Sequence, residues 1–216
     1  SYSGGKPDIN AGPKDGMIRT ESDMAWVKAM IADGYKFNGV TKVAKDQLWY
    51  GDLIYADANG DGNYGDTNDM NFTGTSTQPR YNFGFNLSAA YKGFDFYMLW
   101  AGSAGFDLYW NHSSYNGTRT ENGFGISQRV ADDHYFYDPE NPSDSRTNIT
   151  AKYPRITDQT QRDNAASSVF WKYKGDYVKL KNIQIGYTIP VKWTRKFMVE
   201  KLRFYFSGEN LLTITD

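Results

Sequence analysis

The chain has 216 residues, and its charges nearly cancel, because 24 lysines and arginines stand against 25 aspartates and glutamates. That balance gives no electrostatic case for a nucleic-acid partner, which usually meets a basic surface. With no cysteine, the sequence excludes disulfide scaffolds, thiolate metal sites and cysteine nucleophiles. Aromatic residues make up 17% of the chain although the mean hydropathy is −0.68. This combination predicts a β-rich protein with polar loops rather than a helical bundle or a disordered chain.

The opening region, 1–79, contains one segment of helical character. Thr20 and Asp23 match a capping box, with Asp in place of the usual Glu, and Gly34 is placed to end the helix. Between them, four apolar residues recur at helical spacing: Trp26, Val27, Met30 and Ile31. We therefore expect a short amphipathic helix over 21–33 that packs its apolar stripe on neighbouring structure.

The Asp-rich stretch 57–69 matches the first positions of an EF-hand-like calcium loop. Oxygen-bearing side chains on alternate residues converge on one hard cation, and Gly62 stands where such loops turn sharply. The candidate calcium ligands are Asp57, Asn59, Asp61, Asn63, Asp66 and Asp69. Position twelve is Asn68 rather than a carboxylate, and flanking helices are not predicted. A solvated turn rich in Asp and Asn is therefore the alternative.

Residues 80–103 predict a β-hairpin. From Tyr81 to Tyr91, large apolar side chains alternate with small or polar ones, and the alternation returns from Phe94 to Trp100. Lys92 and Gly93 form the two-residue turn between these strands.

Region 177–216 predicts two further strands joined by a basic turn. The two halves of the stretch from Tyr177 to Ile189 alternate out of phase, which predicts a β-bulge near Asn182. The next strand places Leu202, Phe204 and Phe206 on one face and polar residues on the other.

Two architectures fit these strands. In a soluble β-sandwich the apolar faces meet in a core, whereas in an outer-membrane barrel they contact lipid and the polar faces line an aqueous lumen. Three features favour the barrel: apolar faces about ten residues long, aromatic residues at the strand ends, and a two-residue turn that alternates with the long connection 104–176. A compact soluble domain rarely contains so long a loop.

Several motifs follow one another in a fixed order along the chain. They are GDLIY at 51–55 with DANGDG at 57–62, PRYNFGFNLS at 79–88 with YKGFD at 91–95, KYPR at 152–155, SSVFW at 167–171, DYVKLKNIQIGYTIP at 176–190 and SGENLLT at 207–213. Over roughly residues 16–216, this ordered set closely resembles the C-terminal part of the SusC/RagA family of TonB-dependent outer-membrane transporters.

The resemblance implies an all-β fold, namely about four antiparallel strands of a plugged transmembrane β-barrel of about 22 strands, with long extracellular loops and one short helix. Residues 1–79 and 104–176 become extracellular loop regions, 80–103 a barrel hairpin, and 177–216 two strands joined by a periplasmic turn. The apolar faces of Tyr81 to Tyr91, Phe94 to Trp100, Ile183 to Ile189 and Leu202 to Phe206 would contact lipid. Five residues would face the lumen: Asn82, Asn86, Asp95, Tyr205 and Glu209.

The resemblance also implies import of large nutrients, oligosaccharides or peptides, across a bacterial outer membrane. The expected partners are a SusD-like surface lipoprotein, outer-membrane lipid, the oligosaccharide or peptide substrate, and TonB through a plug region outside these 216 residues. We expect no nucleic-acid partner and no cofactor other than calcium. The alternative is a soluble, calcium-dependent glycan-binding β-sandwich displayed on the cell surface.

The long connection 104–176 is dense in aromatic residues, whose rings stack on sugars and anchor protein interfaces. Trp110, Tyr137 and Trp171 are the predicted ligand contacts, and packing within the loop is the alternative for each. Paired acids such as Asp132 and Asp133 have no fixed separation that would support hydrolysis. We therefore predict no catalytic residues and no enzyme activity.

Overall fold

The computed structural model describes residues 8–109, 125–157, 164, 166 and 168–215. The chain divides into two compact units. The first comprises Ser1–Thr73 and Trp110–Trp171, and the second comprises Gly74–Tyr109 and Lys172–Asp216. Each unit is therefore built from two separate stretches of the chain.

The regular elements are few in the first unit and long in the second. In the first unit they are α1 (Glu21–Ala32), β1 (Lys36–Phe37), β2 (Asn63–Tyr64) and α2 (Gln128–Asp132). In the second unit they are β3 (Tyr81–Tyr91), β4 (Phe94–Ala104), β5 (Asp107–Tyr109), β6 (Lys172–Lys174), β7 (Tyr177–Thr188), α3 (Val191–Thr194) and β8 (Arg203–Thr215). In the described ranges, no helix has the length and apolar character needed to cross a bilayer.

Helix α1 begins at the capping box that the sequence predicted. The Thr20 hydroxyl accepts a hydrogen bond from the Asp23 amide at 3.1 Å, and the Asp23 carboxylate accepts one from the Thr20 amide at 2.8 Å. These bonds satisfy amides at the helix start that have no partner within the helix. The helix ends at Ala32, two residues before Gly34, so the prediction over 21–33 is confirmed to within one residue.

The core of the first unit is assembled mostly from irregular backbone. Helix α1 buries four residues, Met24, Trp26, Val27 and Met30. They belong to one cluster with Met17, Ile18, Phe37, Leu48, Tyr50, Leu53, Ile54, Tyr135 and Ala151. Full burial of such a side chain contributes about 1.5–3 kcal/mol. The sequence predicted two loop regions here, but not that residues 135 and 151 join 17–54 in one core.

The second unit is dominated by a four-stranded sheet. Its strands lie in the order β3-β4-β7-β8, and every neighbouring pair is antiparallel. The turn between β3 and β4 consists of Lys92 and Gly93, both with positive φ of 46° and 91°. Two consecutive positive φ values suit the right-handed twist of a hairpin. A Cβ at position 93 would lie 2.8 Å from the Thr188 carbonyl oxygen, so glycine is required here.

The predicted bulge is present in β7. Leu99 pairs with Asn182 and the next residue, Trp100, pairs with Leu180, so Lys181 is the extra residue opposite β4. The pairing between β7 and β8 shifts at the same place, where Asn210 adopts a φ of 52°. Apolar residues therefore pair with apolar residues on both sides of the bulge, as Ile185 with Phe206 and Leu180 with Leu212, and β8 continues to Thr215.

Candidate functional site

The four-stranded sheet has one apolar and one polar face. The register of its strands determines which residues lie on each face. Phe85 lies opposite Trp100, Phe96 lies opposite Ile185, and Ile185 lies opposite Phe206. Since alternate residues share a face, these pairs define one continuous apolar surface. The surface is exposed in this structure, with Phe85 at 57% and Phe206 at 70% accessibility.

Aromatic residues lie at the end of this apolar face that carries the Lys92–Gly93 turn. The rings of Phe94 and Tyr187 are 4.5 Å apart between centroids, and Tyr91 is exposed beside them. Tyr91 pairs with Phe94, which in turn pairs with Tyr187. The aromatic row therefore crosses three neighbouring strands.

The opposite face carries the polar side chains that the sequence assigned to a lumen. Asp95 accepts two hydrogen bonds from the guanidinium of Arg203, from Nη2 and, at 3.0 Å, from Nε. The Gln184 amide, turned so that its oxygen meets the guanidinium, accepts from Arg203 Nη2 at 2.7 Å. This ion pair crosses the sheet directly over Gly186, where a Cβ would lie 2.6 Å from Asp95 Oδ2. The Arg203 guanidinium also lies 5.0 Å from the Tyr205 ring centroid.

The predicted ligand contacts have different environments. Trp110 lies outside the described residues. Tyr137 is half-buried, its hydroxyl donates to Glu21 Oε1 at 3.1 Å, and its ring meets that of Tyr50 edge-on at 5.1 Å. Tyr137 is therefore only partly buried and stays a predicted contact.

The structure corrects the prediction for Trp171. This side chain has 0% accessibility, and its Nε1 donates to the Asn164 carbonyl oxygen at 2.8 Å. Its ring stacks on Tyr153 at 5.9 Å and meets Phe170 edge-on. Because no face of the ring is accessible, Trp171 packs in the interior of the loop. Packing within the loop was the alternative to ligand contact for this residue.

Tyr50, Tyr135 and Tyr137 form a group of phenols whose pKa values are set mainly by burial. The Tyr135 hydroxyl donates to the Arg19 carbonyl oxygen at 2.6 Å. Burial raises the pKa of each of the three phenols, and Glu21 raises the pKa values of Tyr50 and Tyr137 further. A tyrosine hydroxyl is already protonated at neutral pH at its usual pKa of about 10, so the raised pKa values only reinforce the neutral form.

The six predicted calcium ligands lie in one compact loop, but their oxygens meet main-chain amides. Asp57 accepts from the amides of Gly60 at 2.6 Å and Gly62 at 2.8 Å. Asp61 Oδ1 accepts from the Asn63 amide at 2.8 Å. Asp66 accepts from the Asn68 amide and from the Asn63 side chain. These are the local bonds of Asx turns, which fold such a loop without an ion.

Asp69 closes the loop by holding two separate segments. Its Oδ1 accepts from the Ala58 amide at 2.6 Å, and its Oδ2 accepts from the Gly65 amide at 2.7 Å. Desolvation alone would raise the pKa of this carboxyl, but four main-chain hydrogen bonds outweigh it and hold the pKa below its usual value. Among the described residues, no three acidic or histidine side chains are grouped to hold a metal ion. Calcium binding stays a prediction.

The described residues of the first unit contain a buried polar network that the sequence did not predict. Asp52 has 0% accessibility and forms a bidentate ion pair with Arg155, at 2.6 Å to Nε and 2.9 Å to Nη2. Asp52 also accepts from Asn164 Nδ2 at 2.9 Å and from the Trp49 amide at 2.7 Å. Asn164 Oδ1 in turn accepts from the Leu53 amide at 2.8 Å.

One signal could have revealed this network. Asp52 lies in the GDLIY motif and Arg155 lies in the KYPR motif, and both motifs carried the family resemblance. A buried carboxylate needs a charged, hydrogen-bonding partner, and arginine supplies two parallel donors. The separation of 103 residues hides this pairing from any local pattern.

An exposed apolar face backed by a polar face, on strands of eleven to thirteen residues, is the pattern of a membrane-barrel wall. No protein-family model matches the chain. The chain is 31% identical over 192 residues to TonB-dependent receptor P3 of Formosa agariphila, covering 85% of this chain and 17% of that protein. It is 29% identical over 194 residues to TonB-dependent receptor P26 of the same organism, covering 86% of this chain and 18% of that protein.

A solved structure shares the fold. A chain of the RagAB peptide importer in its 'open-open' state matches with a TM-score of 0.51 and 20% identity, over 77% of this chain and 17% of that chain. The present chain thus spans about a sixth of the length of the proteins it matches. The resemblance to part of a SusC/RagA-family TonB-dependent transporter is confirmed. The relatives agree with an outer-membrane location and with a receptor rather than an enzyme.

Proposed function

We propose that this chain supplies four consecutive wall strands and external loops of a TonB-dependent outer-membrane transporter. The observation that carries the proposal is the apolar sheet face, which is exposed along the whole of β3 and most of β8. Soluble proteins rarely expose contiguous apolar patches larger than a few hundred Å². In a bilayer the same face loses its contact with water and becomes stabilising.

The opposite face suits an aqueous interior. Asp95, Gln184, Arg203 and Tyr205 lie on it, and two of these are charged groups that a hydrocarbon environment would strongly disfavour. A wall that separates lipid from water needs this division of side chains. We therefore assign the polar face to the lumen and the first unit to the outside of the cell.

For the whole transporter, we propose the import of large nutrients with a SusD-like lipoprotein as partner and with TonB as the source of energy. The curated relatives are called TonB-dependent receptors, and the solved neighbour is called a peptide importer. The proposed substrates are peptides or oligosaccharides. Tyr137 remains a candidate contact for either class, since a tyrosine ring stacks on sugars and packs on peptides.

The sandwich alternative receives no support from the described residues. Their four long strands make a single sheet, and the ladders β1-β2 and β5-β6 are only two and three residues long. A sandwich requires a second sheet of comparable size packed about 10 Å away. No such layer is present in the described ranges.

The two faces can be tested with a matched pair of substitutions in the full-length transporter. Phe85→Arg places a charge on the apolar face of β3, and Asn86→Arg places the same charge on the polar face. A lipid-facing arginine near the bilayer centre costs about 2–4 kcal/mol. We expect Phe85→Arg to lower the yield of folded, heat-modifiable protein in the outer membrane, and Asn86→Arg to leave it near the parent level. Equal effects of the two substitutions would contradict the assigned faces.

An uptake assay tests transport itself. Cells that carry the full-length transporter should take up labelled oligosaccharide or peptide in a TonB-dependent manner, and deletion of its gene should abolish uptake. Uptake that continues without TonB would contradict the proposed energy source.

A further inference from the structure

The segment 190–202, between β7 and β8, presents apolar and basic side chains to solvent. It contains α3 and a 3-10 turn over Arg195–Phe197. Trp193 is 56% accessible, Phe197 77% and Met198 95%. The four cations of the segment, Lys192, Arg195, Lys196 and Lys201, are exposed as well, and Glu200 is its one acidic residue.

The backbone fixes these side chains in their exposed positions. Met198 adopts a φ of 57°, and its amide donates to the Arg195 carbonyl oxygen at 3.0 Å. The Val199 amide donates to the Thr194 carbonyl oxygen at 3.2 Å. Thr194 is the buried residue of this short helix, and its hydroxyl donates to the Val191 carbonyl oxygen. The exposed apolar side chains therefore belong to an ordered turn.

The segment continues the apolar face of the sheet. The Ile189 amide donates to the Leu202 carbonyl oxygen at 2.9 Å, which extends the pairing of β7 and β8 beyond Thr188 and Arg203. By alternation, Ile189 and Leu202 follow Tyr187 and Phe204 on the apolar face. The segment thus emerges at the end of the sheet that carries the aromatic row of Tyr91, Phe94 and Tyr187.

The geometry points to a membrane-interface anchor: Trp193, Phe197 and Met198 enter the headgroup layer, and the neighbouring cations bind the phosphates of anionic phospholipid. This inference rests on the proposed wall function. It adds anionic phospholipid as the binding partner of segment 190–202, at one end of the wall. Aromatic residues with lysine and arginine favour the boundary between hydrocarbon and water, and clustered cations attract anionic lipid. The excess of positive charge in 190–202 complements such a surface.

The test uses environment-sensitive labels in the full-length protein, reconstituted in vesicles of phosphatidylcholine with or without phosphatidylglycerol. This chain contains no cysteine, so a single label can be introduced at each chosen position once any cysteine elsewhere in the protein is replaced by serine. Phe197→Cys reports on the segment, Phe85→Cys on the apolar face of the wall, and Asp46→Cys on an exposed position of the first unit.

We expect the label at position 197 to be quenched by lipids with a spin label near the headgroup, and the label at position 46 to be unaffected. Combined Lys192→Gln, Arg195→Gln and Lys196→Gln substitutions should reduce the quenching at 197 in vesicles with phosphatidylglycerol, because they remove the attraction to anionic lipid. In pure phosphatidylcholine the same substitutions should have little effect.

The labels separate failure of the anchor from failure of the wall. Position 85 is probed with lipids that carry the spin label along the acyl chain. If position 85 is quenched by these lipids and position 197 stays as accessible to water as position 46, the anchor is overturned and the wall stands. If neither position is quenched, both are overturned. Protection of position 197 that requires an added periplasmic protein would assign the segment to a protein partner and overturn the lipid assignment.

Discussion

Gly186 shows how a single residue without a side chain makes room for the ion pair on the polar face. A Cβ at this position would lie 2.6 Å from Asp95 Oδ2 and 2.5 Å from Arg203 Nη2. The strand between the two partners carries a glycine, which leaves room for the pair in this position. No local sequence pattern indicates that an ion pair lies over Gly186.

Gly186→Val should displace the Asp95–Arg203 pair, because the new side chain would occupy the space of its carboxylate and guanidinium groups, and so lower the stability of the sheet. Gly84→Val is the matched control, since a Cβ there lies at an ordinary 3.5 Å from the Trp100 carbonyl oxygen. Urea unfolding of the full-length protein checks both variants. Equal midpoints for Gly186→Val and Gly84→Val would contradict the assigned contact.

In the first unit, Asp52 is one partner of the buried ion pair with Arg155. Removing one partner of a buried ion pair costs about 3–5 kcal/mol, since the other charge stays buried and unpaired. Asp52→Ala should therefore loosen the packing of 45–53 against 155 and 164, measured as faster hydrogen exchange in peptides that cover these residues. Asp144→Ala, which breaks an ion pair with the exposed Arg146, is the control and should change exchange only near its own site. Similar changes in both variants would show that the buried pair has no special role.

At the scale of elements, the Asp-rich loop is held by carboxylates that accept main-chain hydrogen bonds. Asp69 has a lowered pKa in the folded loop, so its contribution to stability is fully present above its unfolded value of about 3.9. That contribution is lost as the pH falls through the folded pKa. Hydrogen exchange at Ala58 and Gly65, corrected for the intrinsic rate, should therefore increase in acid. Asp69→Asn should bring the same increase at neutral pH, whereas the exposed Asp46→Asn should not.

Calcium binding by this loop is tested by thermal unfolding of the full-length protein. If the loop binds calcium, excess calcium raises the melting temperature by mass action, and Asp61→Ala abolishes the rise while Asp46→Ala retains it. If excess calcium leaves the melting temperature of the parent protein unchanged, the predicted calcium site is wrong.

The strands and the core of the first unit were unequally predictable. Strands β3 and β4 show strict period-two alternation, so their existence, turn and faces followed from the residues alone. The core around Tyr135 and Ala151 has no such period, because irregular segments bring these residues to α1 through contacts over more than one hundred positions. Trp171 shows the same limit of prediction. The sequence places an aromatic residue in a loop but does not indicate whether its side chain is buried.

At the scale of the whole molecule, the chain divides into two units of different architecture. The second unit supplies a two-faced sheet, and the first supplies a packed body in which the GDLIY and KYPR motifs meet at Asp52 and Arg155. The low mean hydropathy agrees with this division, because polar residues fill the loops and one face of the sheet. The proposed membrane wall is therefore compatible with a low mean hydropathy.

The measurement that tests this account most directly is a cysteine scan along β3, from Asn82 to Ala90, in the full-length transporter in bilayers. Each position is labelled in turn and challenged with a lipid-borne quencher and a water-soluble quencher. We predict a period of two, with lipid quenching at 83, 85, 87 and 89 and aqueous quenching at 82, 84, 86, 88 and 90. Aqueous quenching at every position, or lipid quenching without alternation, would contradict a wall between lipid and lumen.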